Sequence, residues 1–351
     1  MTSEKINTIE LTPRERQVFL AVVHGFIQNA EPVGSRYISK HYNLNLSPAT
    51  IRNVMTDLEE KGLLCQPHTS AGRIPTTQGY RIYVDSLQDR GEALTPRERR
   101  VILEKLRRFS QDVEMIISGA ATVLGEISSL LGIVLSPKFK RGKVAKIDLV
   151  QLASQKVLFI LHVTSGIAKS VIIEIDKQFP VDFLVDTARV LNERLYGISI
   201  EQLTEGLKDR FLDLSEAQRN LIDAIKDSTG RLIAYEPEGD FYFSGAKNVI
   251  TNPEFDSREK IEKILELLDR KDILVRVMSD HHTNGVSIII GEEHKEELMR
   301  NCSLITTKYS IEGAEGTLGI LGPTRMQYAK IISLVQFMAE TLNYIVSKEL
   351  K

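Results

Sequence analysis

The chain has 351 residues, of which 42% are hydrophobic and 26% charged, a balance typical of folded globular proteins that excludes extensive disorder. This length suits two or three domains. A formal net charge of -2 argues against a protein that coats nucleic acid indiscriminately, although a whole-chain total can conceal a local basic face.

Several kinds of protein are disfavoured by what the sequence lacks. The N-terminal segment has no apolar core of the signal-peptide type, and no stretch approaches the roughly 20 apolar residues needed to cross a bilayer. The two cysteines, Cys65 and Cys302, are too few and too far apart for a disulfide framework or a zinc site. We therefore expect a cytoplasmic protein with no membrane partner, no metal and no cofactor.

Three helices with short turns are predicted in the first 62 residues. Thr12-Pro13-Arg14-Glu15 has the pattern of a capping box that begins the first helix. Ser35 is predicted to cap a short second helix that ends near Tyr42. Ser47-Pro48 begins the third helix, and Gly62 ends it.

The following segment predicts a strand, a polar loop and a returning strand, and then a helix that begins at Thr76 or Thr77. Residues 88–93 have the composition of a linker. The hexapeptide LTPRER occurs at residues 11–16 and again at 94–99, but different residues follow each copy. It is interpreted as one helix-start signal used twice, not as a repeated domain.

Beyond residue 93 the chain is predicted to be α+β, with about seven strands. Helices are expected from Thr95 to about Arg108, over about 110–131, and at 183–196, 200–208 and 216–227. Three β-rich runs from Val144 onward predict an antiparallel meander. Further strands are expected in GIVLSP, EPEGDFYFSGAKNVI, GVSIIIGEE, CSLITTKYSIE and GTLGILGP, and helices in SREKIEKILELLDR and from Tyr328 to about Lys348.

The third helix separates apolar from polar residues in a way that suggests DNA binding. At 100° per residue, its apolar residues share one face, and Ala49, Arg52, Asn53 and Thr56 lie on the other. Residues 33–56 contain three basic residues and no acidic residue. Over residues 33–84, six basic residues against three acidic residues give a local charge of +3. The helix-turn-helix arrangement places such a helix in the major groove.

The candidate DNA contacts come from the second helix, the third helix and the hairpin loop. Ala49 and Thr50 are small enough to allow close approach, and Ser47 with the free backbone amides can bind a phosphate. Arg52 and Asn53 can make two-point contacts to guanine or adenine. The loop at residues 68–73 would be a wing, from which Arg73 reaches a phosphate or the minor groove. The full predicted set is Ser35, Arg36, Lys40, Ser47, Ala49, Thr50, Arg52, Asn53, Thr56, His68 and Arg73.

A group of motifs in this chain resembles one family. EPVGSR, SPATIRN, DLEEKGLL, HTSAGRIPT and GYR occur in order in the N-terminal quarter, and GTLGILGPTRMQY lies near the end. Together they resemble the HrcA family of bacterial heat-inducible transcription repressors. The resemblance covers essentially the whole chain and is strongest over residues 11–87.

The resemblance implies a homodimer that binds double-stranded DNA at an inverted-repeat operator, the CIRCE element, upstream of chaperone operons of the GroE and DnaK type. It implies a GroEL-type chaperonin as a partner that keeps the repressor active, so that heat relieves repression. It also implies an α+β multidomain fold: a winged helix-turn-helix domain at 1–90, a linker helix at 91–109, a GAF-like domain at 110–142 and 233–351, and an inserted dimerisation domain at 143–232.

Four alternatives compete with this interpretation. Asp280-His281-His282 resembles a motif of metal-dependent phosphoesterases, but the other acidic motifs are missing, and a polar loop between ILVRVMS and GVSIIIG is favoured. GAEGTLGILGP lacks the Gly-Lys-Ser/Thr ending of a phosphate loop and is interpreted as a hairpin turn entering a strand. A winged-helix regulator whose GAF-like domain senses a small molecule remains open. A partner role without DNA would leave the acid-free segments unexplained.

Overall fold

The computed structural model describes residues 9–69, 71–87, 94–109, 112–137, 142–175, 178–205, 208–234, 241–255, 257–280, 285–311 and 314–349. The predicted linker at 88–93 and the pair His281-His282 lie outside these residues. The described part of the chain is mixed α and β, with three separate sheets. The predicted α+β class is confirmed.

An N-terminal unit, residues 13–85, consists of four helices and a short hairpin. Its elements are α1 (Pro13–Asn29), α2 (Ser35–His41), α3 (Pro48–Glu60), β1 (Leu64–Cys65), β2 (Ile74–Pro75) and α4 (Thr77–Asp85). β1 and β2 pair antiparallel, as predicted. Apolar residues of all four helices share one buried core.

The helix-start signals of this unit are mostly confirmed. Thr12 caps α1 in a capping box with Glu15, and the Ser47 side chain caps α3. Gly62 follows α3 with a left-handed φ of 73°. The expectation that Ser35 caps α2 is wrong. Ser35 is the first helical residue, and the N-cap position is occupied by Gly34, which has no side chain to accept a hydrogen bond.

A five-stranded antiparallel sheet forms the centre of the rest of the chain. Its order is β7-β3-β10-β9-β8. The strands are β3 (Leu131–Leu135), β7 (Phe241–Ser244), β8 (Ser287–Ile290), β9 (Cys302–Ile311) and β10 (Ala314–Pro323). Because side chains alternate along a strand, Val134 belongs to one hydrophobic core and its neighbours Ile133 and Leu135 to a second. The sheet is therefore buried on both faces.

Helices cover both faces of this sheet. On one side lie α6 (Val113–Ser128) and α13 (Tyr328–Glu349), with α5 (Pro96–Arg107) packed against them. On the other side the core includes residues of α10 (Ala246–Ile250), α11 (Arg258–Asp269) and α12 (Lys271–Ser279).

A second, three-stranded sheet is built from consecutive strands. The predicted meander is confirmed as β4 (Val144–Ala153), β5 (Lys156–Val163) and β6 (Ala168–Glu174). The next helices are α7 (Val181–Leu195), α8 (Ile200–Glu205) and α9 (Glu216–Ala234). The Asn192 side chain connects α7 to β4 through two hydrogen bonds to Ile147. Its Oδ1 accepts from the backbone N–H at 2.7 Å, and its Nδ2 donates to the carbonyl at 2.8 Å.

The predictions for this region need three corrections. EPEGDFYFSGAKNVI was expected to be strand. Its first five residues lie outside the described ranges, Phe241–Ser244 is strand, and Ala246–Ile250 is the helix α10 instead. The chain turns at Gly245, where φ is 92° and a Cβ atom would lie 2.2 Å from the carbonyl oxygen of Leu130. Helix α12 was not predicted, because a short apolar run such as ILVRVMS does not distinguish helix from strand. The described residues beyond 93 contain eight strands instead of about seven.

None of the helices in the described ranges is long and apolar enough to span a membrane.

Candidate nucleic-acid interface

Helix α3 has one buried and one exposed face, as its sequence pattern predicts. The buried face packs against α1 and α2 and consists of Ile51, Val54, Met55 and Leu58. The exposed face carries the predicted contact residues Ala49, Arg52, Asn53 and Thr56. Four candidate contacts from one helix therefore face solvent together.

The start of α3 is ordered by hydroxyl groups. The Ser47 Oγ accepts a hydrogen bond from the Thr50 backbone N–H at 3.1 Å and lies 2.9 Å from Thr50 Oγ1. This cap satisfies one of the free amides at the helix start and leaves others accessible. Further along the helix, Thr56 Oγ1 donates to the carbonyl of Arg52 at 3.1 Å. The α3 backbone is thus held in place beside its exposed face.

The hairpin loop between β1 and β2 is attached to the turn before α2. Arg73 and Val33 form a β-bridge in which each backbone N–H donates to the other residue's carbonyl at 2.9 Å. Within the loop, the Gln66 side-chain amide donates to the carbonyls of Thr69 and Ala71, both at 2.9 Å. His68 lies exposed in this loop.

A depression of about 310 Å³ lies where α2, α3 and the hairpin loop meet. Three arginines, Arg36, Arg52 and Arg73, line it, together with Ser35. The tertiary structure therefore brings together four predicted site residues that are up to 38 positions apart in sequence. Lys40, at the end of α2, and His68 are not among the lining residues.

Small residues that the sequence analysis did not select also line the depression. These residues are Gly34, which precedes Ser35, and the pair Ala71-Gly72, which precedes Arg73. At Gly72 a Cβ atom would lie 2.4 Å from the backbone carbon and oxygen of Val33. The available signal was the run of small residues in SAGR, which indicates a close backbone approach.

Half of the basic residues in residues 33–84 are already paired with acids. Lys61 pairs with Glu15 at 2.8 Å, and Arg73 with Glu59 at 2.8 Å. Arg81 pairs with Glu293 at 2.5 Å. The hydrogen bond from Lys61 is the main cause that lowers the pKa of Glu15.

Three basic residues remain available on this surface. Arg36, Lys40 and Arg52 are exposed, and no acidic side chain in the described part of the protein lies within ion-pair distance of them. They are the three basic residues of the acid-free segment 33–56. The positive charge on this face is therefore not neutralised by the protein's own acids.

The described residues provide no support for the alternatives based on metal or phosphate chemistry. No group of three or more metal-ligating side chains occurs among the described residues. Asp280 follows the end of α12, and its two histidine neighbours lie outside the described ranges. Gly316 and Gly319 lie inside β10, so this segment enters a strand as predicted.

Neither cysteine has the environment of a reactive thiol. Burial raises the pKa of Cys302 to about 12. Burial also raises the pKa of Cys65, in β1, and the negative charge of Glu59 raises it further. Both thiols are therefore protonated at neutral pH.

Comparison with known proteins identifies the family. The family model described as "HrcA protein C terminal domain" matches residues 114–332. The chain is 35% identical to the heat-inducible transcription repressor HrcA of Prosthecochloris aestuarii, over 96% of this chain and 98% of the relative. It is 36% identical to the HrcA of Pelotomaculum thermopropionicum, over 97% and 98% of the two chains. The chain belongs to the HrcA family.

Members of the HrcA family are heat-inducible transcription repressors and not enzymes, which confirms the predicted functional class. A solved structure titled "Crystal structure of a hypothetical protein at 2.2 A resolution" shares the fold, with a TM-score of 0.62 at 22% identity. It covers 97% of this chain and 98% of its own. The family assignment rests on the HrcA relatives, which cover 96% and 97% of this chain and therefore include both the N-terminal helices and the sheets.

Proposed function

We propose that this protein represses transcription by binding DNA through residues 1–90, used as a winged helix-turn-helix domain. α3 would lie in the major groove, and the hairpin loop would be the wing. The observation that carries the proposal is the exposed charge of Arg36, Lys40 and Arg52, which come from the acid-free segment 33–56 and have no acidic side chain within ion-pair distance among the described residues. DNA would supply the missing partners: phosphates for Arg36 and Lys40, and base edges for Arg52.

Within this surface the roles differ between the helices. Arg52 and Asn53 lie on the exposed face of α3 and would contact base edges. Arg36 lies in α2, outside the recognition helix, and would contact phosphate. Arg73 is already paired with Glu59, so contact with DNA would require it to exchange or share that partner.

The proposed target is the CIRCE inverted repeat, bound by a homodimer. Two identical recognition helices related by a two-fold axis present the same surface to each half-site, so the operator should be palindromic. The genes controlled would be chaperone operons of the GroE and DnaK type, with heat relieving the repression. A GroEL-type chaperonin would keep the repressor active, as the family resemblance implies.

The proposed dimerisation domain is the insertion 143–232. The sheet topology supports this proposal. After β3 the chain leaves the five-stranded sheet, forms the separate three-stranded sheet β4-β5-β6, and returns to the five-stranded sheet at β7. Val150 and Ile172 are both paired with Leu158 across that sheet and remain 44% and 51% exposed. An apolar sheet face of this kind is suited to a second copy of the chain. Residues 110–142 and 233–351 would then form the GAF-like domain, with 91–109 as the linker helix.

The first test is binding to a CIRCE duplex and to a scrambled duplex, followed by fluorescence anisotropy across a salt series. We expect tight, salt-sensitive binding to CIRCE, with a log–log slope of about -6 to -9 if a dimer contacts roughly 7–10 phosphates. Arg52→Ala should weaken CIRCE binding. Arg258→Ala is the matched control, because Arg258 is 92% exposed on α11, outside the proposed interface.

Equal, weak binding to both duplexes would count against the proposal unless adding a GroEL-type chaperonin restores selectivity. The alternative, a small-molecule sensor in the GAF-like domain, remains a prediction. A ligand for it would raise the unfolding temperature when the protein is heated with cell metabolites.

A further inference from the structure

A forked ion pair joins the N-terminal unit to the five-stranded sheet. Arg81, on α4, donates from Nε and Nη2 to the two carboxylate oxygens of Glu293, at 2.7 and 2.5 Å. Its Nη2 also donates to the carbonyl of Ile288, in β8, at 2.6 Å. A bidentate guanidinium contact restrains direction as well as distance. Arg81 is one of the six basic residues that give residues 33–84 their local charge of +3, but its guanidinium is directed at the five-stranded sheet.

A second arginine holds the same unit through a different helix. Arg325, just before α13, donates from Nη1 to the carbonyl of Ile27 at 2.8 Å. Ile27 lies in the last turn of α1, where carbonyls lack partners within the helix. The Arg325 Nε pairs with Glu254 at 2.7 Å, which fixes the guanidinium on the body. Attachment through both α1 and α4 restrains rotation of the N-terminal unit.

Aromatic side chains also pack across this junction. Tyr80 and Tyr83 of α4 pack against Tyr328 of α13, with ring centroids 5.7 and 6.5 Å apart. Tyr80 is 3% exposed, and its hydroxyl has no hydrogen-bond partner among the described residues. The junction is therefore desolvated and closely packed.

This attachment fixes the direction of α3 relative to the rest of the chain, because α3 shares one core with α1 and α4. In a two-fold dimer the orientation of each α3 then determines where the second half-site must lie. We infer that Arg81 and Arg325 are positioning residues that set the half-site spacing the dimer accepts, without contacting DNA themselves. This inference rests on the proposed binding of an inverted repeat by a dimer.

DNA geometry makes the inference measurable. One added base pair moves the second half-site by about 3.4 Å and rotates it by about 35° around the duplex axis. A rigidly held pair of helices cannot follow that change, whereas loosely attached helices can. Spacing preference therefore reports on the junction, and affinity for a single half-site does not.

The experiment uses the full-length protein and three kinds of duplex: CIRCE with its natural spacer, CIRCE with one to five base pairs added to the spacer, and a single half-site. Arg81→Gln and Arg325→Gln are compared with wild type by fluorescence anisotropy. Lys61→Gln is the matched control, because it breaks an ion pair of 2.8 Å that lies within the N-terminal unit. Arg81→Lys, which keeps the charge but loses the fork, provides a second, conservative variant.

We expect the ratio of affinities for natural over lengthened spacers to fall by about three- to tenfold in both glutamine variants. The half-site affinity should stay at the wild-type value, and Lys61→Gln should keep the wild-type ratio. Arg81→Lys should give an intermediate ratio.

Unchanged ratios in both Arg81→Gln and Arg325→Gln would overturn the inference, even if overall affinity fell. If wild type itself did not prefer the inverted repeat over a single half-site, the proposed function would fail first and the inference with it. These two results are distinguished by the wild-type measurement alone.

Discussion

The contact between Gly72 and Val33 allows a quantitative prediction for Gly72→Ala. A Cβ atom at residue 72 would lie 2.4 Å from the backbone carbon and oxygen of Val33, whereas an ordinary contact needs 3.4 Å or more. Backbone atoms cannot move aside as a flexible side chain can, so the two segments must separate by about 1 Å. The two Val33–Arg73 hydrogen bonds, now 2.9 Å, would then exceed hydrogen-bonding distance.

The expected size of this effect follows from the bonds that are lost. Two backbone hydrogen bonds contribute about 0.5–1.5 kcal/mol each, and alanine recovers about 0.4–1 kcal/mol by restricting the unfolded chain. A net loss of about 1–2 kcal/mol should release the hairpin loop from the turn before α2. Because α2 and the loop line the same depression, operator affinity should fall as well.

Native-state amide hydrogen exchange measures this loss directly. The amides of Val33 and Arg73 should exchange about 5–30 times faster in Gly72→Ala than in wild type, while amides in the five-stranded sheet should be unaffected. Gly34→Ala is the matched control, because no atom lies within 4 Å of a Cβ built there. Wild-type protection of both amides in Gly72→Ala would refute this reasoning.

Three further predictions concern other parts of the molecule. Arg52→Ala should reduce CIRCE affinity by about 1–3 kcal/mol per base contact and relax sequence preference. Arg36→Ala should instead weaken binding to all DNA and lower the slope of the salt dependence. If each variant changed binding to specific and random duplexes equally, this division of roles would be contradicted. The hydrogen bond from Lys330 lowers the pKa of Glu98 from its ordinary 4.5 to about 2. The ionised Glu98 carboxylate therefore stabilises the fold fully above about pH 4.5, and this stabilisation is lost as the pH falls toward 2. Acid unfolding followed by circular dichroism should be less steep in this range for Glu98→Gln. Cys302, with a pKa of about 12, should resist iodoacetamide at about pH 8 until the protein is denatured, and peptide mass spectrometry would detect earlier alkylation.

Structural features that depend on only a few neighbouring residues were predictable from the sequence. The capping boxes at Thr12 and Thr95 and the cap at Ser47 begin helices where expected, because each cap bonds to an amide three residues away. The period of α3 identified its buried face for the same local reason. Some failures were also local, as at the Ser35 cap and in α12, but another occurred where a distant contact decided the outcome. The turn at Gly245 depends on its approach to Leu130, which is far away in sequence.

The candidate site divides in the same way. The sequence determined which residues could bind DNA, because acid-free segments and an exposed polar helix face follow from composition and helical period alone. Only the tertiary structure decided which charges stay available. Arg73 and Arg81 fall in equally acid-free sequence, yet they pair with Glu59 and Glu293, whereas Arg52 has no acidic side chain within ion-pair distance among the described residues. Ion pairing depends on separation in space, and residues 81 and 293 come together only when the chain folds.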